Sequence, residues 1–118
     1  MNLKEIVDKE LILEEEGGEL FRFNGIIFRI KGRTEGDIPH LHFIRSSGKE
    51  GAIRLDAAAY FPHGNPPKYT EKLSSKELKT FCTYISRAFK EACRLWNELP
   101  TTKFKANDKV MPDYSKLK

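Results

Sequence analysis

His40, His42 and His63 are the residues of this chain whose types and spacing could do chemistry. His40 and His42 lie in HLHFIR, a stretch that reads as a strand, and residues i and i+2 of a strand project to the same side. Two imidazoles placed so are a spacing used for metal ligation. His63 comes from a Pro-rich stretch and would be a third ligand, while Glu35, Asp37 or Asp56 could add a carboxylate. The result would be a facial site with open positions. Strand parity also places Arg22 and Arg29 on the face of His40 and His42, where they would repel a cation and attract an anion.

These residues support two functional readings. In the first, Arg22, Arg29, His40 and His42, with the loop that carries His63, form an open basic face of a non-enzymatic interaction module. That module binds a protein or nucleic acid and uses no cofactor, no tight metal and no catalytic residue. In the second, His40, His42 and His63 hold the metal of a metal-dependent enzyme. The sequence favours the first, with both strand histidines facing away from the long helix described below. A plainer reading has them only packing or hydrogen-bonding where the strands end.

Other chemistries lack their residues. No Gly-rich phosphate-cradling loop joins a strand to a helix. No serine or cysteine has the setting of a nucleophile. Cys82 and Cys93 fall on one face of one helical stretch, with Cα atoms about 16 Å apart, beyond disulfide reach. They read as small buried hydrophobes.

The elements that must position these residues are legible. In LSSKELKTFCTYISRAFKEACRLWNELP, residues Leu78, Phe81, Cys82, Ile85, Phe89, Ala92, Cys93, Trp96 and Leu99 share one helical face. Ser74 and Glu77 make a capping box, Leu73 and Leu78 a staple, and Pro100 a stop. The stripe is expected to cover the protein's own sheet. Upstream, Asn24-Gly25 is a type I′ hairpin dipeptide that pairs Phe23 with Ile26, Arg22 with Ile27 and Phe21 with Phe28. Residues 40–45 and 51–55 read as two more strands, with Leu41 and Phe43 in the core. Leu3, Ile6 and Val7 suggest a short helix near 3–9, and 10–15 is strand or helix. Residues 56–72 read as an irregular loop whose role could be travel alone. After Pro100 a polar tail is expected to be ordered, anchored through Phe104, Val110, Met111 and Tyr114.

Composition bounds the rest. The 118 residues make one domain, with a core over 20–99 and the tail over 100–118. Charged residues are 32% and hydrophobic ones 39%, which fits a globular protein. No apolar run approaches a membrane span and no leader is evident, so a cytoplasmic protein without a membrane partner is expected. The net charge of +4 is uneven: residues 1–19 hold two lysines against seven carboxylates, so the basic excess sits in the remainder.

The order of an NG hairpin, a PHLHF strand, a GAIRL strand and a long helix resembles a widespread family of small bacterial proteins of unknown function. Pro39, His40, His42, Gly48, Leu55 and Trp96 carry the resemblance, over roughly residues 20–98. It implies a strand pair followed by a C-terminal helix, and genes that often neighbour toxin–antitoxin-like ones, with no established activity. The combined expectation is an α+β fold. A four- or five-stranded, mainly antiparallel sheet has one long helix, about 74–99, on one face. A homodimer is left open.

Overall fold

The hairpin dipeptide starts the sheet as its chemistry requires. Asn24 and Gly25 both have positive φ, 48° and 75°, the left-handed pair of a type I′ turn. They join β1 (Gly18–Phe23) to β2 (Ile26–Ile30). The register is Phe23 with Ile26, Arg22 with Ile27 and Phe21 with Phe28, as expected. β3 (His40–Arg45) and β4 (Glu50–Arg54) complete an antiparallel meander in the order β1-β2-β3-β4. The computed structural model describes residues 17–31, 38–100 and 102–118. The expected elements at 3–9 and 10–15 lie outside the described residues, as do Glu35 and Asp37.

One helix, α1 (Ser75–Asn97), covers one face of the sheet. Its start is fixed chemically. The Ser74 hydroxyl accepts from the Glu77 amide at 3.2 Å, and Glu77 Oε1 accepts from the Ser74 amide at 2.8 Å. Such a cap stabilises a helix by about 1 kcal/mol. Arg45, at the end of β3, adds a fork: Nη1 to Glu77 Oε2 at 2.7 Å and Nη2 to Glu77 Oε1 at 2.8 Å. The sheet is therefore tied to the helix N-terminus by a bidentate ion pair. Phe81, Ile85, Phe89, Ala92, Cys93 and Trp96 are buried from the helix side. Ile26, Phe28, Ile30, Leu41, Phe43 and Ile53 are buried from the sheet side. Removing each large side chain of this set from water contributes about 1.5–3 kcal/mol. Among the described residues no helix is long and apolar enough to cross a membrane.

The tail is held by only one of its four expected anchors, Tyr114. Phe104, Val110 and Met111 are exposed; Ala106, Tyr114 and Leu117 are the buried residues. Hydrophobicity alone pointed to the former, whereas polar contacts decide the path. Trp96 Nε1 donates to the Phe104 carbonyl at 2.7 Å. Asn97 exchanges two hydrogen bonds with the Ala106 backbone, at 3.0 and 2.7 Å. Tyr114 then packs edge-on against Phe81 and donates from its hydroxyl to the Arg54 carbonyl at 2.6 Å.

Residues 56–72 do more than travel. Both ends are pinned to β4: Phe61 donates its amide to the Ala52 carbonyl at 2.9 Å, and Glu71 to the Glu50 carbonyl at 3.0 Å. Isolated bridges pair Ile53 with Tyr60 and Gly51 with Thr70. Gly51 makes the second closure possible, because a Cβ there would overlap the Phe43 ring and the Glu71 carbonyl. The loop thus shields the β4 edge and carries His63 back to the sheet.

Candidate metal centre

Parity works as the sequence requires on β3. Leu41 and Phe43 are fully buried in the core. His40 and His42 project together, and their Nε2 atoms lie 3.0 Å apart. His63 arrives from the pinned loop, held in a turn by the Lys68 amide donating to the His63 carbonyl at 2.8 Å. One ring nitrogen from each of His40, His42 and His63 lies within 4.8 Å of the other two. Ring centroids are 4.7 Å apart for His40–His42, 4.8 Å for His40–His63 and 5.2 Å for His42–His63. Imidazoles sharing an ion at about 2.0–2.1 Å, with angles of about 90–110°, would have nitrogens about 2.9–3.4 Å and centroids about 4.6–5.3 Å apart. The three centroid spacings and the Nε2–Nε2 distance fit that geometry. The widest nitrogen spacing, 4.8 Å, exceeds the range.

Hydrogen bonds assign two of the tautomers. His40 Nδ1 lies 2.6 Å from the Ile38 carbonyl, and His63 Nδ1 lies 2.9 Å from the Phe61 carbonyl. A carbonyl only accepts, so each Nδ1 carries the proton and each Nε2 offers a lone pair. This backbone support is the arrangement metal-ligating histidines use to fix ring orientation. His42 differs: its Nδ1 is buried with no hydrogen-bond partner among the described residues. Burial, reinforced by the charges of His40, Lys31, His63 and Arg29, pulls the His42 imidazolium down to about 2, so the ring is neutral.

The surroundings are aromatic and cationic. Tyr69 stacks on His63 at 4.3 Å and meets His42 edge-on at 4.5 Å. Phe61 stacks on His63 at 4.8 Å, and Trp96 packs on His40 at 5.1 Å. His40 therefore touches the long helix, contrary to the expectation that both imidazoles face away from it, because Trp96 closes the end of the sheet. Arg29 pairs directly with His42 across β2 and β3, and Lys31, just past β2, reaches the Tyr69 hydroxyl at 3.4 Å. No carboxylate or thiolate joins the group among the described residues. Glu50 is tied to Lys31 at 3.0 Å, and Asp56 to Arg54 at 2.7 Å.

The face is not open where it was expected to be. His40 is 0% and His42 2% exposed, since the loop lies over them. Arg22 is not part of the cluster; it is exposed, pairs with Glu19, and lines a separate cavity of about 360 Å³ with Phe23, Ile27 and Ile44. Phe61, Tyr69 and Lys31 were not singled out as site residues from the sequence. Their signal was present in the aromatics on either side of His63 and in the i+2 step from Arg29. Cys93 stands apart, its thiol pushed up to about 11 by burial and by the charge of Asp108, which leaves it unreactive. Comparisons with family models, with curated proteins and with solved structures return no match.

Proposed function

We propose that this protein is a metal-dependent enzyme built on a three-histidine centre, in which His40, His42 and His63 hold one divalent ion of the zinc class. The observation that carries the reading is the convergence of the three imidazoles at ligand spacing. Imidazole nitrogen suits Zn²⁺, Cu²⁺, Fe²⁺ and Ni²⁺ better than Mg²⁺ or Ca²⁺. Three protein ligands, rather than four, is the count of catalytic zinc sites, where the remaining position takes water or substrate. A bound ion there supplies Lewis acidity, which makes water a nucleophile near neutral pH and suits hydrolytic chemistry. The residues of the chain hold neutral nitrogens in place and shield them with Phe61, Tyr69 and Trp96.

The interaction-module reading keeps Arg22, Arg29 and His63 at the surface, but two of its contact residues, His40 and His42, lie beneath the loop. The Pro39-His40-x-His42 strand, which carries the resemblance to small bacterial proteins, would supply two of the three ligands. Equilibrium dialysis against Zn²⁺ followed by elemental analysis tests the proposal. One ion per chain, lost in His40→Ala, His42→Ala and His63→Ala, is the expected result. Stoichiometry that the three variants leave unchanged contradicts it.

A further inference from the structure

The charge around the three histidines specifies what the open position of the ion would receive. Resting on the metal-centre reading above, we propose that the centre takes an oxyanion, a phosphate- or carboxylate-type group, bridging the ion and the Lys31 ammonium.

Three imidazoles are neutral ligands, so a divalent ion held by them keeps its full charge. No carboxylate joins the cluster among the described residues. Lys31, which follows the end of β2, holds its Nζ 4.9 Å from the centre of the Tyr69 ring. A dication beside an ammonium, in a partly buried setting, draws an anion strongly.

Lys31 is placed to be the second anchor. Its side chain is 31% exposed, so solvent reaches it, and its Nζ lies 3.4 Å from the Tyr69 hydroxyl. Tyr69 itself rests on His63 and His42. Ammonium and phenol together present two donors along one side of the histidine cluster, which suits an oxyanion with more than one oxygen. Glu50 holds Lys31 at 3.0 Å and would compete with the incoming anion. That competition gives the proposal opposite signs for two substitutions.

The experiment uses the full chain loaded with Co²⁺, whose visible spectrum reports the ligands of the ion. Inorganic phosphate and acetate are titrated separately at constant ionic strength. A saturable spectral change with at least one of them is expected, and the relative affinity identifies the phosphate or carboxylate class. Lys31→Met should weaken that anion by about tenfold or more with Co²⁺ stoichiometry unchanged, the loss of one charge-assisted hydrogen bond. Glu50→Gln should strengthen it by freeing Lys31. A merely structural effect would move both variants in the same direction and would overturn the proposal. So would one bound Co²⁺ whose spectrum ignores both anions. Failure of the wild type to bind Co²⁺ would instead remove the metal centre itself, and this inference with it.

Discussion

His40 Nε2 lies 3.0 Å from His42 Nε2 in the interior of the protein. Two bare lone pairs do not sit at that distance, so something positive lies between them, a proton or a metal ion. Without an ion, His42 Nε2–H donates to His40, and His42 Nδ1 is buried with no partner among the described residues. An orphaned buried nitrogen costs stability.

Replacing that ring by an apolar one should therefore be cheap for the fold and fatal for the centre. His42→Leu is expected to stay within about 1 kcal/mol of wild type in metal-free buffer, while zinc uptake is lost. Chemical denaturation with chelator present checks the first part. A loss of several kcal/mol would mean that His42 is chiefly structural.

Trp96 is the single tryptophan and packs 5.1 Å from His40. Cu²⁺ bound by the histidines should quench its fluorescence, and chelator should restore it. His63→Ala leaves the indole packing untouched and should abolish quenching at micromolar Cu²⁺. Equal quenching in the variant would place the copper elsewhere.

Glu77 links the cap to the sheet and predicts an acid limb. The Arg45 hydrogen bonds hold its carboxyl down to about 2, against 4.5 for the free side chain. A depressed carboxyl contributes stability that is complete above about 4.5 and fades as pH falls toward about 2. Glu77→Gln should cost about 1–3 kcal/mol at neutral pH and flatten stability across that window. Denaturation midpoints at pH 7 and pH 3 that differ equally from wild type would contradict the link.

The local signals in the sequence carried far for the sheet and helix and less far for the site. The NG dipeptide set the hairpin register, and Ser74 with Glu77 set the helix start, because both act within a few residues. Strand parity put Leu41 and Phe43 in the core and His40 with His42 together. What parity could not tell was that a second layer covers those histidines. That depends on Phe61 and Glu71 bonding back to β4, a contact between segments that no local pattern encodes. Tyr114 anchors the tail as expected, whereas Phe104, Val110 and Met111 do not, for a related reason. Val110 and Met111 are apolar but lie between the two fixed points, the Asn97–Ala106 bonds and Tyr114.

Tyr114 should be the residue that holds the tail. It is 3% exposed and its hydroxyl bonds the Arg54 carbonyl at 2.6 Å. Tyr114→Phe should cost about 1 kcal/mol, and Tyr114→Ala about 3–5 kcal/mol from the lost ring. Met111→Ala, at an exposed site, should be within about 0.5 kcal/mol of wild type. Equal effects at the two positions in urea denaturation would contradict this order.

The metal content of the purified, full-length protein tests the central claim most directly. After dialysis against Zn²⁺ and removal of free ion, the account predicts one equivalent per chain in the wild type and none in His40→Ala/His42→Ala/His63→Ala. A wild type that retains no zinc, or a triple variant that retains as much, would contradict it.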